Sequence, residues 1–243
     1  MTPRFRMIAG PNGSGKTTLC ARLTAEFAVN FYTMLNADAM FAEAMSHHAV
    51  RATLPVEQSS LLRYLEACSY PPEVLAPFRD GRIVVKGDCF HFADVLAINS
   101  YTVSLITNFL RHSMMASGLS FSQETVFSHP EKVEALRDAK ERGYRTYLYF
   151  VATDNPVVNA FRVKSRTAKG GHDVPPDKIV ARYGRSLQQI APSLPFLSRA
   201  FFWDNSGEDF RFLAAYDDQT GFTLETDDFP AWFRANVPID FHA

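Results

Sequence analysis

The chain has 243 residues, of which 47% are hydrophobic, and it carries a formal net charge of −1. This length is enough for one domain with a large core, and the near-neutral charge gives no electrostatic reason to expect nucleic acid as the main partner. No run approaches the ~20 apolar residues that cross a bilayer, and the first residues lack a signal-peptide core, so we expect a soluble cytoplasmic protein without a membrane partner.

The first predicted elements are a buried strand over residues 5–9 and a helix over residues 17–27. Between them lies a loop of the form G-x-x-x-x-G-K-[ST], made of Gly10, Pro11, Asn12, Gly13, Ser14, Gly15, Lys16, Thr17 and Thr18. The backbone N–H groups of such a loop converge on phosphate oxygens, and the helix N-terminus adds a partial positive charge. We therefore predict an ATP site, with Lys16 at the β- and γ-phosphates and the Thr17 hydroxyl on Mg²⁺. The alternative is a glycine-rich turn without a ligand.

A second strand is predicted over residues 31–35, followed by a helix with Asp38 near its first turn. Open α/β sheets bind ligands at the carboxyl edge of their strands, so we expect Asp38 to lie beside the phosphate loop. There it would orient or deprotonate a substrate hydroxyl as the catalytic base. The alternative is that Asp38 only caps the helix.

Residues 46–98 are predicted to form an insertion that caps the sheet. Within it, residues 58–68 have helical periodicity and residues 82–86 alternate like a strand. Three prolines, Pro71, Pro72 and Pro77, are expected to break the chain between these two elements.

The next segments are a helix over residues 100–116 and a strand-like stretch over 119–122 that leads into Glu124 and Thr125. We predict that these two side chains contact the substrate, with a solvated strand end as the alternative. A further helix is expected to begin with Ser128 as N-cap and Glu131 three residues later, and to stop at Gly143.

A β-rich apolar run over residues 146–151 is typical of a central parallel strand. The helix after it carries Arg162 and Arg166, which are four residues apart and so share one face. Guanidinium groups match phosphate oxygens, so we predict that both arginines act on the γ-phosphate during transfer. The alternative is a solvated basic helix face.

The segment after this helix, Gly170-Gly171, is predicted to be a lid hinge. His172 either donates to the substrate or caps the turn, and Arg182, in the next helix, is a candidate for the substrate site. The last core strand is predicted over residues 200–203 and precedes Asn205, which contacts the nucleotide base or is only a turn residue. A terminal hairpin is expected within residues 208–228.

Strand-like and helix-like segments alternate along the chain, which predicts an α/β fold with a parallel sheet flanked by helices. We expect a single domain over residues 1–243, which includes the insertion and the hairpin. The sequence lacks the signature segment of transporter ATPases and the Asn-Lys-x-Asp element of switch GTPases. The functions that remain open to a chain with this loop are phosphoryl transfer to a small molecule and a regulatory ATPase.

Taken together, the motifs resemble the zeta-toxin family of P-loop kinases, especially its chromosomal branch labelled predicted ABC-type ATPase. The resemblance covers residues 5–45 and 100–207, and it rests on the segments 10–18, 36–38, 121–125, 162–163, 170–175, 182–186 and 204–206. Its most specific part is the pair Gly-Gly-His-x-Val-Pro and Arg-Tyr-x-Arg-Ser.

The resemblance implies a nucleoside-kinase-like fold and an ATP-dependent kinase that phosphorylates the sugar of UDP-N-acetylglucosamine. By position, Lys16 and Thr17 match the ATP and Mg²⁺ residues, Asp38 the catalytic base and Glu124 the sugar-holding acid. Arg162 or Arg166 matches the first lid arginine, while the second has no clear counterpart near Gly171-His172. Related plant-pathogen effectors phosphorylate a dinucleotide cofactor, which widens the choice of acceptor.

Our leading hypothesis is an ATP- and Mg²⁺-dependent kinase that acts on a hydroxyl of a small molecule such as a nucleotide sugar or nucleotide. The alternative is a nucleotide-binding interaction module, held by an antitoxin protein, with slow ATP hydrolysis. A nucleic-acid end kinase is disfavoured, because no basic stripe with interleaved aromatic residues is visible.

Overall fold

The structure is a computed structural model that describes residues 2–167 and 174–239. Two of the sequence predictions, the Gly170-Gly171 hinge and the substrate contact of His172, lie outside the described residues. The chain divides into two compact units. Unit 1 comprises Met1–Met34 and Ser120–Ala243, and unit 2 comprises Leu35–Leu119.

The elements up to the end of unit 2 are β1 (Arg4–Ala9), α1 (Lys16–Phe27), β2 (Thr33–Asn36), α2 (Ala37–His47), β3 (Ala49–Arg51), α3 (Gln58–Glu66), α4 (Pro72–Arg79), β4 (Ile83–Lys86), β5 (Cys89–Phe92) and α5 (Ser100–Ala116). Those that follow are β6 (Phe121–Thr125), α6 (Glu131–Glu141), β7 (Arg145–Ala152), α7 (Pro156–Thr167), α8 (Pro176–Gln188), α9 (Ile190–Ser193), β8 (Arg199–Asp204), β9 (Arg211–Asp217), β10 (Gly221–Leu224) and α10 (Ala231–Asn236).

A mostly parallel sheet organises unit 1. Its strand order is β10-β9-β8-β7-β1-β6-β2, and the chain passes from unit 1 into unit 2 within β2. Strand β1 is central and pairs in parallel with β6, where Ile8 lies opposite Glu124, and with β7, where Ile8 lies opposite Tyr149. Strand β8 continues the parallel part, and β9 and β10 are antiparallel. The predicted α/β fold class is confirmed, and the carboxyl ends of β1, β6, β7 and β8 meet at one edge.

One face of this sheet is closed by α1. Leu19 and Leu23 of the helix pack into a buried cluster with Ile8, Tyr149 and Trp203. The rings of Tyr149 and Trp203 stack with their centroids 6.1 Å apart. Each such apolar side chain contributes about 1.5–3 kcal/mol when it is fully buried, so the helix that follows the phosphate loop is firmly attached to the sheet.

Unit 2 contains a three-stranded antiparallel sheet of order β3-β5-β4 and the helices α2 to α5. Phe90 of β5 is fully buried and its ring meets that of Phe109 in α5 edge-on, with centroids 6.0 Å apart. The predicted break is wrong for Pro77, which lies inside α4, whereas Pro71 and Pro72 stand at the start of this helix. Proline is tolerated in the first turn, and burial of Pro77 with Leu75 and Phe78 offsets the one missing N–H donor.

One further local expectation differs from the structure. Helix α6 begins after Pro130 without a side-chain cap, so the predicted capping box of Ser128 and Glu131 does not form. Instead, the Glu131 N–H donates to Nδ1 of His129 at 3.3 Å. Helix α10 and strand β5 were not predicted. Across the described ranges, no helix is both long enough and apolar enough to pass through a membrane.

Candidate functional site

The loop between β1 and α1 has a backbone that only glycine accommodates at three positions. Gly10, Gly13 and Gly15 have φ angles of 146°, 72° and 97°, in the region that L-residues rarely adopt. A Cβ atom on Gly13 would lie 2.5 Å from the carbonyl oxygen of Asn159, and one on Gly15 would lie 2.4 Å from Nδ2 of Asn205. The loop therefore packs so closely against Asn159 and Asn205 that it leaves no room for a Cβ atom at these two glycines.

Lys16 is buried at the start of α1 and folds back over the loop. Its ammonium group donates to the carbonyl oxygens of Gly10 and Pro11, each at 3.0 Å. This arrangement holds a positive charge above the loop, where a phosphate chain would lie.

Two polar side-chain atoms of the loop are buried and make no hydrogen bond within the part of the chain that the structure describes. They are Oδ1 of Asn12 and the hydroxyl oxygen of Ser14. Buried polar atoms are nearly always hydrogen-bonded in proteins, so such atoms point to a missing partner such as water or a ligand. A hydroxyl at this position is a suitable donor to an anionic oxygen.

A cavity of about 320 Å³ opens on the loop. It lies wholly in unit 1, and its walls are formed by Gly13, Gly15, Lys16, Thr17, Thr18, Glu124, Arg162, Val163, Arg166 and Asn205. The structure therefore brings together the loop, the end of β6, the helix α7 and the residue after β8, as the shared edge of parallel strands requires. Among the described residues, three cationic side chains and one carboxylate line this cavity.

The hydroxyl of Thr17 points to the end of β6. It donates to the carboxylate of Glu124, with both carboxylate oxygens 3.1 Å from Oγ1. The same carboxylate influences the pKa of Cys20, which lies one helical turn further along α1. Burial, together with the negative charge of Glu124 and against the opposing charge of Lys16, raises the pKa of its thiol to about 12.

The two predicted phosphate-binding arginines both line the cavity, but Arg162 is already engaged. Its guanidinium donates to the carbonyl oxygen of Asn205 at 2.9 Å and to that of Gly207 at 3.4 Å. Arg162 thus connects α7 to the loop after β8 and presents its remaining N–H groups beside the cavity.

Two asparagines donate hydrogen bonds to backbone carbonyls of the loop. Nδ2 of Asn205 donates to the carbonyl oxygen of Ser14 at 2.8 Å. Nδ2 of Asn159, in the first turns of α7, donates to the carbonyl oxygen of Asn12 at 2.6 Å, and its Oδ1 accepts a hydrogen bond from Thr153. Asn159 was missed in the sequence, although it lies in the same helix as Arg162. Its only signal is a polar residue on the buried face of an amphipathic helix.

The Arg-Tyr-x-Arg-Ser motif in α8 forms mainly backbone contacts. The hydroxyl of Tyr183 donates to the carbonyl of Thr153, and that of Ser186 donates to the carbonyl oxygen of Val126 at 2.6 Å. Burial, with a smaller contribution from the charges of Asp154 and Asp204, raises the pKa of Tyr183 to about 12. Arg182 is half-buried and does not belong to the residues that line the cavity.

The remaining predicted residues are Thr125 and Asp38. The hydroxyl of Thr125 accepts the N–H of Phe127 at 3.2 Å and so closes the turn after β6. In unit 2, Asp38 is exposed in the first turn of α2. The alternative that Asp38 caps this helix is wrong, because Oδ1 of Asn36 accepts the N–H groups of both Asp38 and Ala39.

Among the described residues, no group of three or more His, Cys, Asp and Glu side chains is arranged to hold a metal ion. A metal at this site would thus depend on Thr17, on the nearby carboxylate and on its own ligand or waters, which is how Mg²⁺ binds in nucleotide sites. The hard oxygen atoms of Thr17 and Glu124 fit such an ion.

Comparison with protein families confirms the resemblance seen in the sequence. The Zeta toxin family model matches residues 93–193. The match includes the arginines of α7 and the motif in α8, whereas the phosphate loop lies before it. An uncharacterized protein of Haemophilus influenzae is 27% identical over 74 residues, which make up 30% of this chain. The match spans about half of that relative's length, 53%.

Solved structures agree at the level of the fold. The PezAT chromosomal toxin–antitoxin system of Streptococcus pneumoniae has a chain with a TM-score of 0.53 and 14% identity, and the match covers 93% of this chain and 75% of that one. The AvrRxo1-ORF1:AvrRxo1-ORF2 complex matches with a TM-score of 0.58 in its native form and 0.56 with ATP, at 13% identity. Both matches cover 92% of this chain and 61% of the matched chain.

Proposed function

We propose that the chain is an ATP-dependent kinase that transfers the γ-phosphate to a hydroxyl group of a small molecule. One observation carries this proposal. The cavity of unit 1 is walled by a glycine-rich phosphate loop, by the cations of Lys16, Arg162 and Arg166, and by the hydroxyl of Thr17. Phosphoryl transfer needs mainly positioning and neutralisation of charge, and these are the groups that supply both.

ATP fits the site because the loop offers a buried donor, the Ser14 hydroxyl, that has no hydrogen-bond partner among the described residues. The Ser14 hydroxyl and the backbone N–H groups of the loop suit phosphate oxygens, and the Lys16 ammonium suits the β- and γ-phosphates. Asn205 lines the same cavity, so a contact with the nucleotide base remains a prediction.

Mg²⁺ would be held by Thr17, and it would bridge phosphate oxygens and neutralise their charge. A hydroxyl can bind a cation through its lone pairs only if its proton points elsewhere. Glu124 supports this role, because its carboxylate accepts the hydrogen bond that the Thr17 hydroxyl donates. In the same proposal, Glu124 also holds the acceptor, as the family resemblance implies.

Asp38 is the proposed base. Its carboxylate is exposed and is not used to cap α2, since Asn36 provides the cap. A carboxylate is a suitable acceptor for the proton of an attacking hydroxyl. Thr125, His172 and Arg182 stay proposed acceptor contacts on the sequence reading alone, and Arg166 joins Arg162 in neutralising charge on the transferred group.

The resemblance to zeta toxins makes UDP-N-acetylglucosamine the first acceptor to test, followed by other nucleotide sugars and dinucleotides. It also suggests a protein partner. The PezAT structure is of a toxin–antitoxin system and the AvrRxo1 structures are of a two-protein complex. By this analogy we propose that an antitoxin-like protein binds the chain.

The experiment that tests the function is a screen with γ-labelled ATP. The purified chain is incubated with labelled ATP, Mg²⁺ and fractions of a metabolite extract, with UDP-N-acetylglucosamine and a 5′-hydroxyl oligonucleotide as separate arms. A kinase yields a labelled small molecule that is absent when Lys16 is replaced by alanine. Release of labelled phosphate without an acceptor favours the alternative of a regulatory module, and label on the oligonucleotide favours an end kinase.

A further inference from the structure

The starting observation is that the carbonyl groups of Asn12 and Ser14 are both held by side-chain amides from outside the phosphate loop. Asn159 is fully buried and donates to the first carbonyl at 2.6 Å, and Asn205 donates to the second at 2.8 Å. These amides come from two different elements, the helix α7 and the loop after β8.

The direction of a carbonyl determines the direction of the next N–H group. In a trans peptide the C=O of one residue and the N–H of the next point in opposite directions. When the carbonyls of Asn12 and Ser14 are bound by the asparagines, the N–H groups of Gly13 and Gly15 point away from them. Both glycines line the cavity.

The asparagines are themselves held in place. Oδ1 of Asn159 accepts the hydroxyl of Thr153, which orients the amide so that Nδ2 faces the loop. The N–H of Asn205 donates to the carbonyl oxygen of Ala152 at 2.8 Å, and its carbonyl oxygen accepts Arg162 at 2.9 Å. The amide of Asn159 is thus held through its own side-chain oxygen, and that of Asn205 through its backbone.

We propose that Asn159 and Asn205 are positioning residues that orient the peptide groups of the phosphate loop, so that the N–H groups of Gly13 and Gly15 face the phosphates. For Asn205 this role is an alternative to the contact with the nucleotide base, which stays a prediction from the sequence. The inference rests on the proposed nucleotide site, but it requires only that the loop binds phosphates and not that the chain transfers them.

Inorganic tripolyphosphate is the probe that separates the two roles of Asn205, because it has phosphates and no base. Affinities for tripolyphosphate and for ATP are measured by calorimetry for the wild type, Asn159→Asp and Asn205→Asp. We expect each variant to bind both ligands about five- to tenfold more weakly, since a carboxylate cannot donate to the loop carbonyl. Asn159→Ser and Asn205→Ser, which are uncharged and too short to reach, should show the same loss.

The matched control is Asn236→Asp. Nδ2 of Asn236 also donates to a backbone carbonyl, that of Trp232 at 2.8 Å, in a different helix of unit 1. This variant loses a similar hydrogen bond and should keep the tripolyphosphate affinity of the wild type. Hydrogen exchange of the peptide that covers residues 10–18, measured without ligand, should be faster in the variants of Asn159 and Asn205 and unchanged in Asn236→Asp.

The outcomes are distinct. Tripolyphosphate binding at wild-type strength in the variants overturns the proposal, and a loss for ATP alone returns Asn205 to the base. If no labelled acceptor is found but tripolyphosphate binding falls in the variants, the kinase function fails and the positioning role stands. If the wild type binds neither ligand, the loop does not bind phosphates and the proposal is overturned.

Discussion

The hydroxyl of Thr17 and the carboxylate of Glu124 form a hydrogen bond in which Oγ1 lies 3.1 Å from both carboxylate oxygens. The contact joins the first turn of α1 to the end of β6, across 107 residues of sequence. It brings the predicted metal ligand and the predicted acceptor-holding acid to the same point.

The first prediction concerns this pair. In Glu124→Gln the negative charge beside Thr17 is lost, so metal binding to the nucleotide complex should weaken by about tenfold. Binding of ADP without metal should not weaken, because a repulsive charge has been removed. Titration with Mn²⁺, followed by electron paramagnetic resonance with and without ADP, measures the first effect. Glu141→Gln, a change to an exposed carboxylate of α6, is the control.

A different result would divide the two roles proposed for Glu124. If Glu124→Gln binds Mn²⁺ as well as the wild type but requires a higher acceptor concentration, the carboxylate serves the acceptor alone.

The second prediction concerns Asp38. Asp38→Asn should lower kcat by about 10²–10⁴-fold, because a neutral amide cannot take the proton of the attacking hydroxyl. The KM for ATP should change little. Steady-state rates with the acceptor found by the labelled-ATP screen measure both constants. Glu66→Gln, a change to an exposed acid in the same unit, should leave them unchanged. A rate for Asp38→Asn within a few-fold of the wild type would rule out its role as base.

A third prediction follows from the backbone of Gly15. In Gly15→Ala the new Cβ would lie 2.4 Å from Nδ2 of Asn205, and the residue would keep a φ of 97°. Gly143→Ala has a similar φ of 80° but meets no atom within 4 Å. Both variants should lose about 1–2 kcal/mol of unfolding free energy to backbone strain. Only Gly15→Ala should also lose nucleotide affinity, by at least about tenfold.

Thermal unfolding and calorimetric titration with ADP compare these two variants. Equal ADP affinities would show that the loop can move away from Asn205 without loss of function.

The fourth prediction is a pH dependence. The pKa of Cys20 is about 12, so roughly one molecule in ten thousand carries the thiolate at pH 8, against about a quarter for an ordinary thiol. Alkylation of Cys20 by iodoacetamide should therefore be very slow at pH 8 and should rise tenfold per pH unit. Mass spectrometry of the peptide that contains Cys20 measures the rate, with the urea-unfolded chain as reference.

The same shift affects stability. A thiol whose pKa is raised in the folded state contributes stability that is complete below its unfolded pKa, near 8.5, and that is lost as the pH rises toward 12. Alkylation at the same rate in the folded and unfolded chains would contradict the burial of Cys20.

The elements around the phosphate loop could be predicted from sequence because their signals are local. The apolar strand, the loop glycines and the amphipathic helix lie within residues 4–27, and α5 begins and ends where its periodicity does. The position of Glu124 at the carboxyl edge of the sheet agrees with the rule that the carboxyl ends of parallel strands meet at one edge.

The rest depended on contacts that the sequence does not show. Asn159 is bound to Asn12 across 147 residues, and Asn205 to Ser14 across 191, so neither contact leaves a local pattern. Helix α4 was missed because Pro77 normally ends a helix, whereas here burial of the ring outweighs one lost hydrogen bond. Strand β5 was missed although Phe90 and Phe92 alternate with half-buried residues, and its pairing with β3 joins residues that are distant in the sequence.

The close packing of Gly13 on Asn159 and of Gly15 on Asn205 has a consequence for protein engineering. A graft of residues 10–18 onto another α/β scaffold would transfer the glycines but not the surfaces that make them necessary. In such a host the same nine residues could adopt the conformation of an ordinary turn. A search for the motif alone therefore finds candidate loops. Residues far away in the sequence, such as those that contact the loop here, decide whether a candidate can bind an anion.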